Sequence, residues 1–234
     1  MTGVSPRPDG SRFSFVLDRD LLARSALFAG LSDAELEVVL AGATRRELRR
    51  GDVLFSEGDE SEQLFLVESG RIAMSQRSAD GRESVIALME RGDLFGEMPL
   101  FDGLGRSTEA RALEPSVVVS VDYEPVQRIY EERPALLWSV VALLSQRLRV
   151  TDSALADSVF LDVTGRTAKR LLELAGDQDE FTLPVTQEEL AGMVGASRER
   201  VNKAIASFLR LGWLDQRDRR YRIVDREQLS RRAT

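Results

Sequence analysis

The chain of 234 residues contains neither cysteine nor histidine. Their absence excludes disulfide bonds, thiolate or imidazole metal sites, iron–sulfur clusters, haem held by either side chain, and Ser-His or Cys-His nucleophiles. The longest nearly apolar stretch, residues 136–144, has less than half of the roughly 20 residues that a membrane helix needs. Residues 1–12 are polar and lack the apolar core of a signal peptide. We therefore expect a cytoplasmic protein with no metal and no membrane partner.

The composition is that of a globular protein with room for two ordinary domains, since 43% of the residues are apolar and 30% are charged. The net charge of −7 is distributed unevenly along the chain. Residues 1–162 carry a net charge of −10, and residues 163–234 carry +3. The positive charge is concentrated in residues 194–234, which alone carry +6. This asymmetry indicates two modules with different partners.

The first half predicts a sheet-rich module flanked by helices. Residues 1–18 are expected to form a flexible leader, and residues 25–43 a helix with a cap around Ser32. From Gly51 to Asp122, short apolar runs alternate with glycines, as in an antiparallel β-sandwich or barrel. The predicted fold class is therefore α+β, with an antiparallel β-roll and its flanking helices within residues 19–133.

Residues 134–160 predict a long helix and a hinge. Their apolar side chains recur at alternating steps of 4 and 3, with Thr151 as the one polar position of the series. The series is Leu137, Val141, Leu144, Leu148, Thr151 and Leu155. This heptad spacing predicts a seam against another helix, either in a bundle within one subunit or in the coiled coil of a homodimer. In a homodimer, Thr151 would fix the register or contact a ligand.

Residues 161–234 predict a winged helix-turn-helix. Thr186 and Glu189 have the spacing of a capping box, Gly195 suits a tight turn, and Ser197 can cap a second helix. A basic hairpin follows around residues 217–219. An exposed basic helix can be an ordinary solvated surface, but this combination, in the positively charged part of the chain, favours DNA binding.

The polar face of the second helix carries groups that recognise base edges. Arg198 can donate two hydrogen bonds to guanine, Glu199 can accept one from cytosine, and Lys203 can reach another guanine. Thr186, Ser197 and the arginines of the hairpin are expected to hold phosphates. The predicted DNA contacts are Thr186, Ser197, Arg198, Glu199, Asn202 and Lys203.

Residues 96–108, with the sequence GEMPLFDGLGRST, have the composition of an anion-binding loop. Glycines allow backbone amides to approach a phosphate, Arg106 can neutralise it, and Ser107 adds a hydroxyl. Glu97 can accept a hydrogen bond from a ribose hydroxyl. The alternative is a structural ion pair between Glu97 and Arg106 beside a loop.

The order of these features resembles the Crp-Fnr transcription regulators, in their cyclic-AMP receptor branch. The resemblance rests on residues 96–108, the heptad helix, Phe160–Arg166 (FLDVTGR) and Val194–Glu199 (VGASRE), and it covers about residues 25–230. It implies a bacterial homodimer with a jelly-roll domain that binds cyclic AMP, or another cyclic nucleotide, as an allosteric ligand. It also implies palindromic double-stranded DNA and RNA polymerase as partners, and a hinge near residues 157–161.

The resemblance also implies roles for individual residues. Gly96 and Glu97 match the family's Gly-Glu pair, with Glu97 on the ribose 2′-hydroxyl, and Arg106 and Ser107 match the Arg-Ser pair on the cyclic phosphate. Thr151 matches the threonine that contacts adenine N6. The implied nucleotide site is Gly96, Glu97, Met98, Arg106, Ser107, Arg147, Thr151 and Asp152. The three implied base-reading residues are Arg198, Glu199 and Lys203.

Three residues depart from the family pattern. Asp152 stands where the family has a serine that reaches the partner's nucleotide, Pro99 lacks an amide donor, and Lys203 replaces an arginine. They leave open a regulator of the same fold that binds another nucleotide or no ligand. The branches that sense gases through cysteine-bound clusters or haem are excluded, as no cysteine or histidine is present. A metal-dependent β-roll enzyme is disfavoured because its usual histidine ligands are missing.

Overall fold

A computed structural model describes residues 19–78, 83–218 and 220–234, so the predicted leader lies outside the described residues. The described chain begins with two helices, α1 (Arg19–Arg24) and α2 (Asp33–Ala41). The prediction of one helix over residues 25–43 is therefore only partly right. Helix α2 begins at Asp33 because Ser32 and Glu35 form a capping box, in which the Ser32 amide donates to the Glu35 carboxylate at 2.6 Å.

The predicted antiparallel β-roll is confirmed as two sheets. Its strands are β1 (Thr44–Leu48), β2 (Val53–Phe55), β3 (Gln63–Ser69), β4 (Ile72–Arg77), β5 (Glu83–Met89), β6 (Leu94–Phe95), β7 (Glu109–Ala112) and β8 (Ser116–Asp122). One four-stranded sheet has the order β1-β8-β3-β6 and the other β2-β7-β4-β5. Strand β1 begins before the predicted start at Gly51. Its sequence, TRREL, has no alternating apolar pattern because it is an exposed edge strand.

Three phenylalanines pack between the two sheets. Phe55 of β2, Phe65 of β3 and Phe95 of β6 are buried, and their ring centroids lie 5.5 to 6.1 Å apart. The short apolar runs between the glycines therefore fill a common core. Strand β6 leads directly into residues 96–108, which contain a short helix, α3 (Met98–Asp102). The core thus fixes the point at which the candidate anion-binding loop begins.

The predicted long helix is present and its seam is exposed. Helix α4 (Tyr123–Glu132) and a 3-10 turn (Pro134–Leu136) precede α5 (Leu137–Phe160). The seam side chains of α5 are exposed to the following extents: Leu137 42%, Val141 49%, Leu144 41%, Leu148 62% and Leu155 63%. A bundle within one subunit would bury this seam, so that interpretation is wrong for the described chain. No helix among the described residues has both the length and the apolar content to cross a bilayer.

The predicted helix-turn-helix and wing are confirmed in the last third of the chain. The elements are α6 (Val163–Ala175), β9 (Glu180–Thr182), α7 (Gln187–Val194), α8 (Arg198–Arg210), β10 (Leu214–Arg217), β11 (Arg220–Ile223) and α9 (Arg226–Arg232). Strands β10, β11 and β9 form an antiparallel sheet in that order. The predicted inner face of α8 is buried: Val201, Ala204, Ile205 and Phe208.

The chain changes direction between α5 and α6. Leu161 has extended backbone, with φ −100° and ψ 137°, and Asp162 then caps α6 by accepting the Gly165 amide at 2.8 Å. The side chain of Arg232 at the end of α9 also pairs with Asp162. Across the junction, Lys169 Nζ lies 2.6 Å from Asp157 Oδ2. Within the predicted hinge at residues 157–161, Asp157 is thus held by α6, and the adjacent Asp162 is held by α9.

The helix-turn-helix module packs against the β-roll. Val85 of β5 belongs to the same buried cluster as the cores of α6, α7 and α8. Gly192 of α7 lies so close to β5 that a Cβ there would be 3.2 Å from the Glu83 carbonyl oxygen. Ser84 Oγ donates to the Gly192 carbonyl at 3.4 Å. A side chain at position 192 would therefore change this contact.

Candidate functional site

Glu97 is a carboxylate with no exposed surface, located at the start of α3. Its Oε1 accepts a hydrogen bond from Arg147 Nη1 of α5, and the Arg147 Nη2 donates to the Leu94 carbonyl at 2.9 Å. Its Oε2 has no hydrogen-bond partner. Burial raises the pKa of Glu97, and the charges of Arg147 and Arg106 oppose that rise. The pair joins the β-roll to the long helix.

Arg106 is buried and its two terminal nitrogens are engaged by the protein. Nη1 donates to the Gly96 carbonyl at 2.7 Å, and Nη2 donates to the Gln63 carbonyl at 2.6 Å. The guanidinium carbon lies 4.1 Å from the centre of the Phe55 ring. The buried Nε has no hydrogen-bond partner. The alternative of an ion pair between Glu97 and Arg106 is not observed: Glu97 pairs with Arg147, and Arg106 donates to the carbonyls of Gly96 and Gln63.

Gly96 has a structural role in addition to the predicted one. Its φ of +76° lies in the left-handed region, and a Cβ there would lie 2.5 Å from Arg106 Nη1. The position therefore needs glycine for two reasons: the backbone conformation and the space that the guanidinium occupies. The sequence reasoning assigned this glycine to a backbone approach to phosphate.

The other predicted nucleotide-binding residues lie around this pair. Ser107 and Met98 are exposed, with Ser107 Oγ 3.8 Å from Met98 Sδ. Thr151 lies one turn beyond Arg147 on α5, where its exposed hydroxyl donates to the Arg147 carbonyl at 3.1 Å. Asp152 is exposed beside it. The structure thus brings six of the eight residues together and leaves Thr151 and Asp152 on the neighbouring turn of the helix.

Four contributors to the site were missed by the sequence reasoning. Phe55 supports the Arg106 guanidinium, Gln63 supplies a carbonyl, and Tyr123 and Ser61 supply hydroxyls. They lie on β2, β3, the start of α4 and the loop before β3. No short motif links them to residues 96–108, since their proximity depends on how the strands pair. Within the described ranges, no group of three or more carboxylates is placed to hold a metal ion.

The helix-turn-helix has the local geometry that its sequence predicts. Thr186 caps α7, with its amide 2.6 Å from the Glu189 carboxylate and its hydroxyl accepting the Glu189 amide at 3.2 Å. Gly195 ends α7 with a φ of +66°. Ser197 caps α8 by accepting the Arg200 amide at 3.4 Å. The second helix therefore starts at a defined angle from the first.

The polar face of α8 is open to solvent at its first two turns. Arg198, Glu199 and Lys203 are exposed, whereas Asn202 is half-buried with its Oδ1 unpaired. Arg200, which was not among the predicted DNA contacts, is exposed as well. In the wing, Asp218 makes the turn with a φ of +56°, and the neighbouring Arg219 lies outside the described residues.

Comparison with known protein families matches both modules. The cyclic nucleotide-binding domain matches residues 45–133, and the Crp-like helix-turn-helix domain matches residues 165–232. The first match contains Glu97 and Arg106, and the second contains α7, α8 and the wing. The two matches therefore coincide with the two places where the structure gathers functional side chains.

The full chain is also similar to known regulators. It is 37% identical over 221 residues to the CRP-like cAMP-activated global transcriptional regulator of Mycobacterium tuberculosis, covering 92% of this chain and 99% of that protein. It is 32% identical over 183 residues to the cAMP-activated global transcriptional regulator Vfr of Pseudomonas aeruginosa, covering 74% and 86%.

Solved structures share the same architecture. FixK2 from Bradyrhizobium japonicum aligns with a TM-score of 0.74 at 20% identity, over 82% of this chain and 98% of that one. The c-di-GMP responsive global regulator CLP of Xanthomonas campestris aligns with a TM-score of 0.71 at 27% identity, over 82% and 99%. The first similarity supports the fold alone.

Proposed function

The chain belongs to the Crp-Fnr family of transcription regulators, and we propose that it acts as a homodimer in which cyclic AMP controls DNA binding. It is a DNA-binding regulator and not an enzyme. The proposed nucleotide site lies between the β-roll and α5. The proposed DNA-reading surface consists of α7, α8 and the wing.

The proposed ligand is supported by one observation: two buried polar atoms of the site, Glu97 Oε2 and Arg106 Nε, have no hydrogen-bond partner. A buried polar group without a partner costs about 1–3 kcal/mol, so two such atoms in one site call for a ligand that pairs with both. Glu97 accepts from a ribose 2′-hydroxyl, and Arg106 donates to a phosphate oxygen. A nucleotide presents such a donor and such an acceptor next to each other.

The charge of the site selects a phosphate with one negative charge. Among the charged side chains of the site that are not exposed, the guanidinium groups of Arg106 and Arg147 and the carboxylate of Glu97 leave one net positive charge, whereas Asp152 is exposed. A cyclic phosphodiester carries a single negative charge, whereas a nucleoside 5′-monophosphate carries nearly two at neutral pH. Because partial burial makes charge matching energetically important, the site favours the cyclic nucleotide.

The helix α5 supplies the proposed contacts to the base. Thr151 already donates its proton to the Arg147 carbonyl, so its oxygen is left to accept from the amino group of adenine. Asp152, exposed on the next position, is a second acceptor for an amino group. Guanine has a carbonyl at the corresponding position of its ring, so this arrangement favours adenine.

The exposed seam of α5 supports the proposed homodimer. Five apolar side chains with heptad spacing are 41% to 63% exposed in the single chain. A second copy of the same helix covers such a seam in a parallel coiled coil. Two copies of α8 would then fit successive major grooves of a palindrome, about 34 Å apart. RNA polymerase is the further partner expected of a regulator of this family.

A cyclic dinucleotide is the second candidate ligand. The relative CLP is described as c-di-GMP responsive. Two departures near the site also favour testing it: Pro99 is buried in α3, where it lacks an amide donor, and Asp152 adds a carboxylate. The fold and the DNA-reading surface are unchanged in this alternative.

Calorimetric titration of the full-length protein tests the proposed function. Cyclic AMP is expected to bind, and cyclic GMP and c-di-GMP are expected to bind more weakly or not at all. Arg106→Ala is expected to abolish binding while the protein remains folded, and Arg128→Ala, on the exposed surface of α4, serves as the matched control. Preferential binding of c-di-GMP would replace the proposed ligand with the second candidate.

Selection of DNA from a random library, with and without cyclic AMP, tests the remaining part. The expected product is a palindromic sequence enriched more strongly when cyclic AMP is present. Enrichment of a site without two-fold symmetry would contradict the homodimeric mode, and equal enrichment in both conditions would contradict control by the nucleotide.

A further inference from the structure

Tyr123 places its hydroxyl at the centre of the Glu97–Arg106 site. The residue directly follows β8, begins α4 and is 8% exposed. Its hydroxyl oxygen lies 3.2 Å from Arg106 Nη1 and 2.6 Å from Ser61 Oγ, and it also contacts the Gly96 carbonyl. Tyr123 was not among the predicted residues of the nucleotide site.

The chemistry of the partners fixes the direction of each hydrogen bond. Arg106 can only donate and the Gly96 carbonyl can only accept. The tyrosine proton is therefore directed at the Gly96 carbonyl, and the tyrosine oxygen accepts from Arg106. Ser61 must then donate to the same oxygen. Burial raises the pKa of Tyr123, so the hydroxyl keeps the proton that this arrangement requires.

The three groups form a closed triangle. The Gly96 carbonyl accepts from Tyr123 and also from Arg106 Nη1 at 2.7 Å, while Arg106 Nη1 donates to both. On the other side of the guanidinium, Nη2 is held by the Gln63 carbonyl at 2.6 Å. The Phe55 ring at 4.1 Å fixes the plane. With both terminal nitrogens held, the direction of the unpaired Nε is fixed as well.

We propose that Tyr123 is a positioning residue that, through Arg106, sets which of the two exocyclic phosphate oxygens of the bound cyclic nucleotide receives the Arg106 Nε hydrogen bond. This inference rests on the proposed function. Because Gly96 directly precedes Glu97, the same hydroxyl also fixes the backbone that presents the Glu97 carboxylate. Tyr123 thus holds the phosphate-binding and ribose-binding residues in one geometry.

Phosphorothioate analogues of cyclic AMP test this orientation directly. In the Sp and Rp diastereomers, sulfur replaces one or the other exocyclic oxygen, so their affinity ratio reports which oxygen Arg106 contacts. Tyr123→Phe deletes the hydroxyl and keeps the ring. We expect its affinity for cyclic AMP to fall by about tenfold and its Sp/Rp affinity ratio to move towards one.

Tyr130→Phe is the matched control, because its hydroxyl is also buried but donates to the Leu27 carbonyl outside the site. It should keep the wild-type ratio. Ser61→Ala is a second variant that leaves Tyr123 in place and removes the serine hydroxyl beside it; we expect a smaller shift of the ratio in the same direction. This variant keeps the test decisive if Tyr123→Phe does not fold.

The outcomes separate the two levels of inference. Wild-type protein that binds no cyclic nucleotide in calorimetry would overturn the proposed function together with the role of Tyr123. Wild-type protein that discriminates the diastereomers, with a Tyr123→Phe variant that keeps the same ratio, would overturn the positioning role alone. An equal loss of affinity for both diastereomers would also overturn it, because general destabilisation has that effect.

Discussion

Arg147, in the middle of α5, is paired with Glu97, whose carboxylate has no exposed surface. The pair connects a residue that is proposed to hold the nucleotide with the helix that is proposed to form the dimer. A ligand hydroxyl that donates to Glu97 Oε2 is therefore connected to α5 through the hydrogen bond between Glu97 and Arg147. Because coupling between binding sites is reciprocal, DNA that favours one position of α5 should change nucleotide affinity by the same factor.

Removal of Arg147 is expected to increase the dependence of stability on pH. In the folded protein the pKa of Glu97 lies above its ordinary value of 4.5, because burial outweighs the favourable charges. A carboxyl with a raised folded-state pKa binds more protons when folded, so the free energy of unfolding decreases as pH rises through that pKa. Arg147→Met raises this pKa further, because it removes the charge and the side-chain hydrogen bond of Arg147 that lower it.

We therefore expect Arg147→Met to lose about 2 kcal/mol of unfolding free energy at pH 8, and less than half of that at pH 5. Urea denaturation at one fixed protomer concentration measures both values. The double variant Glu97→Gln with Arg147→Met should lose the extra pH dependence, because the titrating group is gone. A pH-independent loss in the single variant would contradict this account.

Gly96→Ala is expected to reduce nucleotide affinity, because its Cβ would lie 2.5 Å from Arg106 Nη1. Gly51→Ala is the matched control: its φ is +90°, but a Cβ there meets no atom within 4 Å. Both variants should lose about 1–2 kcal/mol of stability from left-handed backbone strain. Calorimetry should show weaker cyclic-AMP binding in Gly96→Ala alone. Equal affinity in the two variants would mean that Gly96 serves only the backbone.

The predictable parts of this protein are those specified by neighbouring residues. The capping residue and glycine at the two ends of α7 lie within a few positions of the apolar pattern that they bound, so the helix-turn-helix could be derived directly. The seam of α5 was equally clear, because heptad spacing is a property of a single helix. The bundle alternative could be rejected only with the structure, in which the described chain leaves the seam exposed, and the homodimer is a proposal based on that exposure.

The site was predicted less completely, because its partners are distant in the chain. Glu97 and Arg147 are separated by 50 residues and Arg106 and Gln63 by 43, and only the tertiary packing of loop, strand and helix α5 brings them together. Main-chain carbonyls bind Arg106, and a carbonyl carries no sequence signal. Strand β1 was missed for a different reason, since an exposed edge strand needs no apolar alternation.

Arg198→Ala is expected to relax discrimination at one base pair of the operator by about 1–3 kcal/mol, because a bidentate contact to guanine is lost. The control is Arg210→Ala, an exposed arginine at the other end of α8, about 18 Å along the helix axis. DNA-binding anisotropy with point-mutated operators measures the effect. An unchanged base preference in Arg198→Ala would exclude it as a base reader.

Leu148→Asp is expected to dissociate the proposed dimer, because it places a charge in the apolar seam of α5. Leu148 is 62% exposed in the single chain, and Val150 is 65% exposed on another face of the same helix. Val150→Asp is therefore a control with the same charge and similar exposure. Sedimentation velocity should show a dimer dissociation constant raised by about 100-fold or more for Leu148→Asp only. Equal effects would place the interface elsewhere.

Gly192→Leu is expected to separate the DNA-binding module from the β-roll. A Cβ at this position lies 3.2 Å from the Glu83 carbonyl and 3.4 Å from the Val85 amide nitrogen, so a leucine side chain cannot fit between α7 and β5. Because β5 leads through β6 to Glu97, this contact connects the segment that carries the proposed nucleotide site with α7. The ratio of DNA affinities with and without cyclic AMP should therefore fall towards one, while nucleotide affinity without DNA changes little.

The control is Glu188→Leu, because Glu188 is exposed on the same helix, and this variant should keep the wild-type coupling. Anisotropy titrations of operator DNA with and without cyclic AMP measure the coupling, and full coupling in Gly192→Leu would show that the signal travels through α5 and α6 instead.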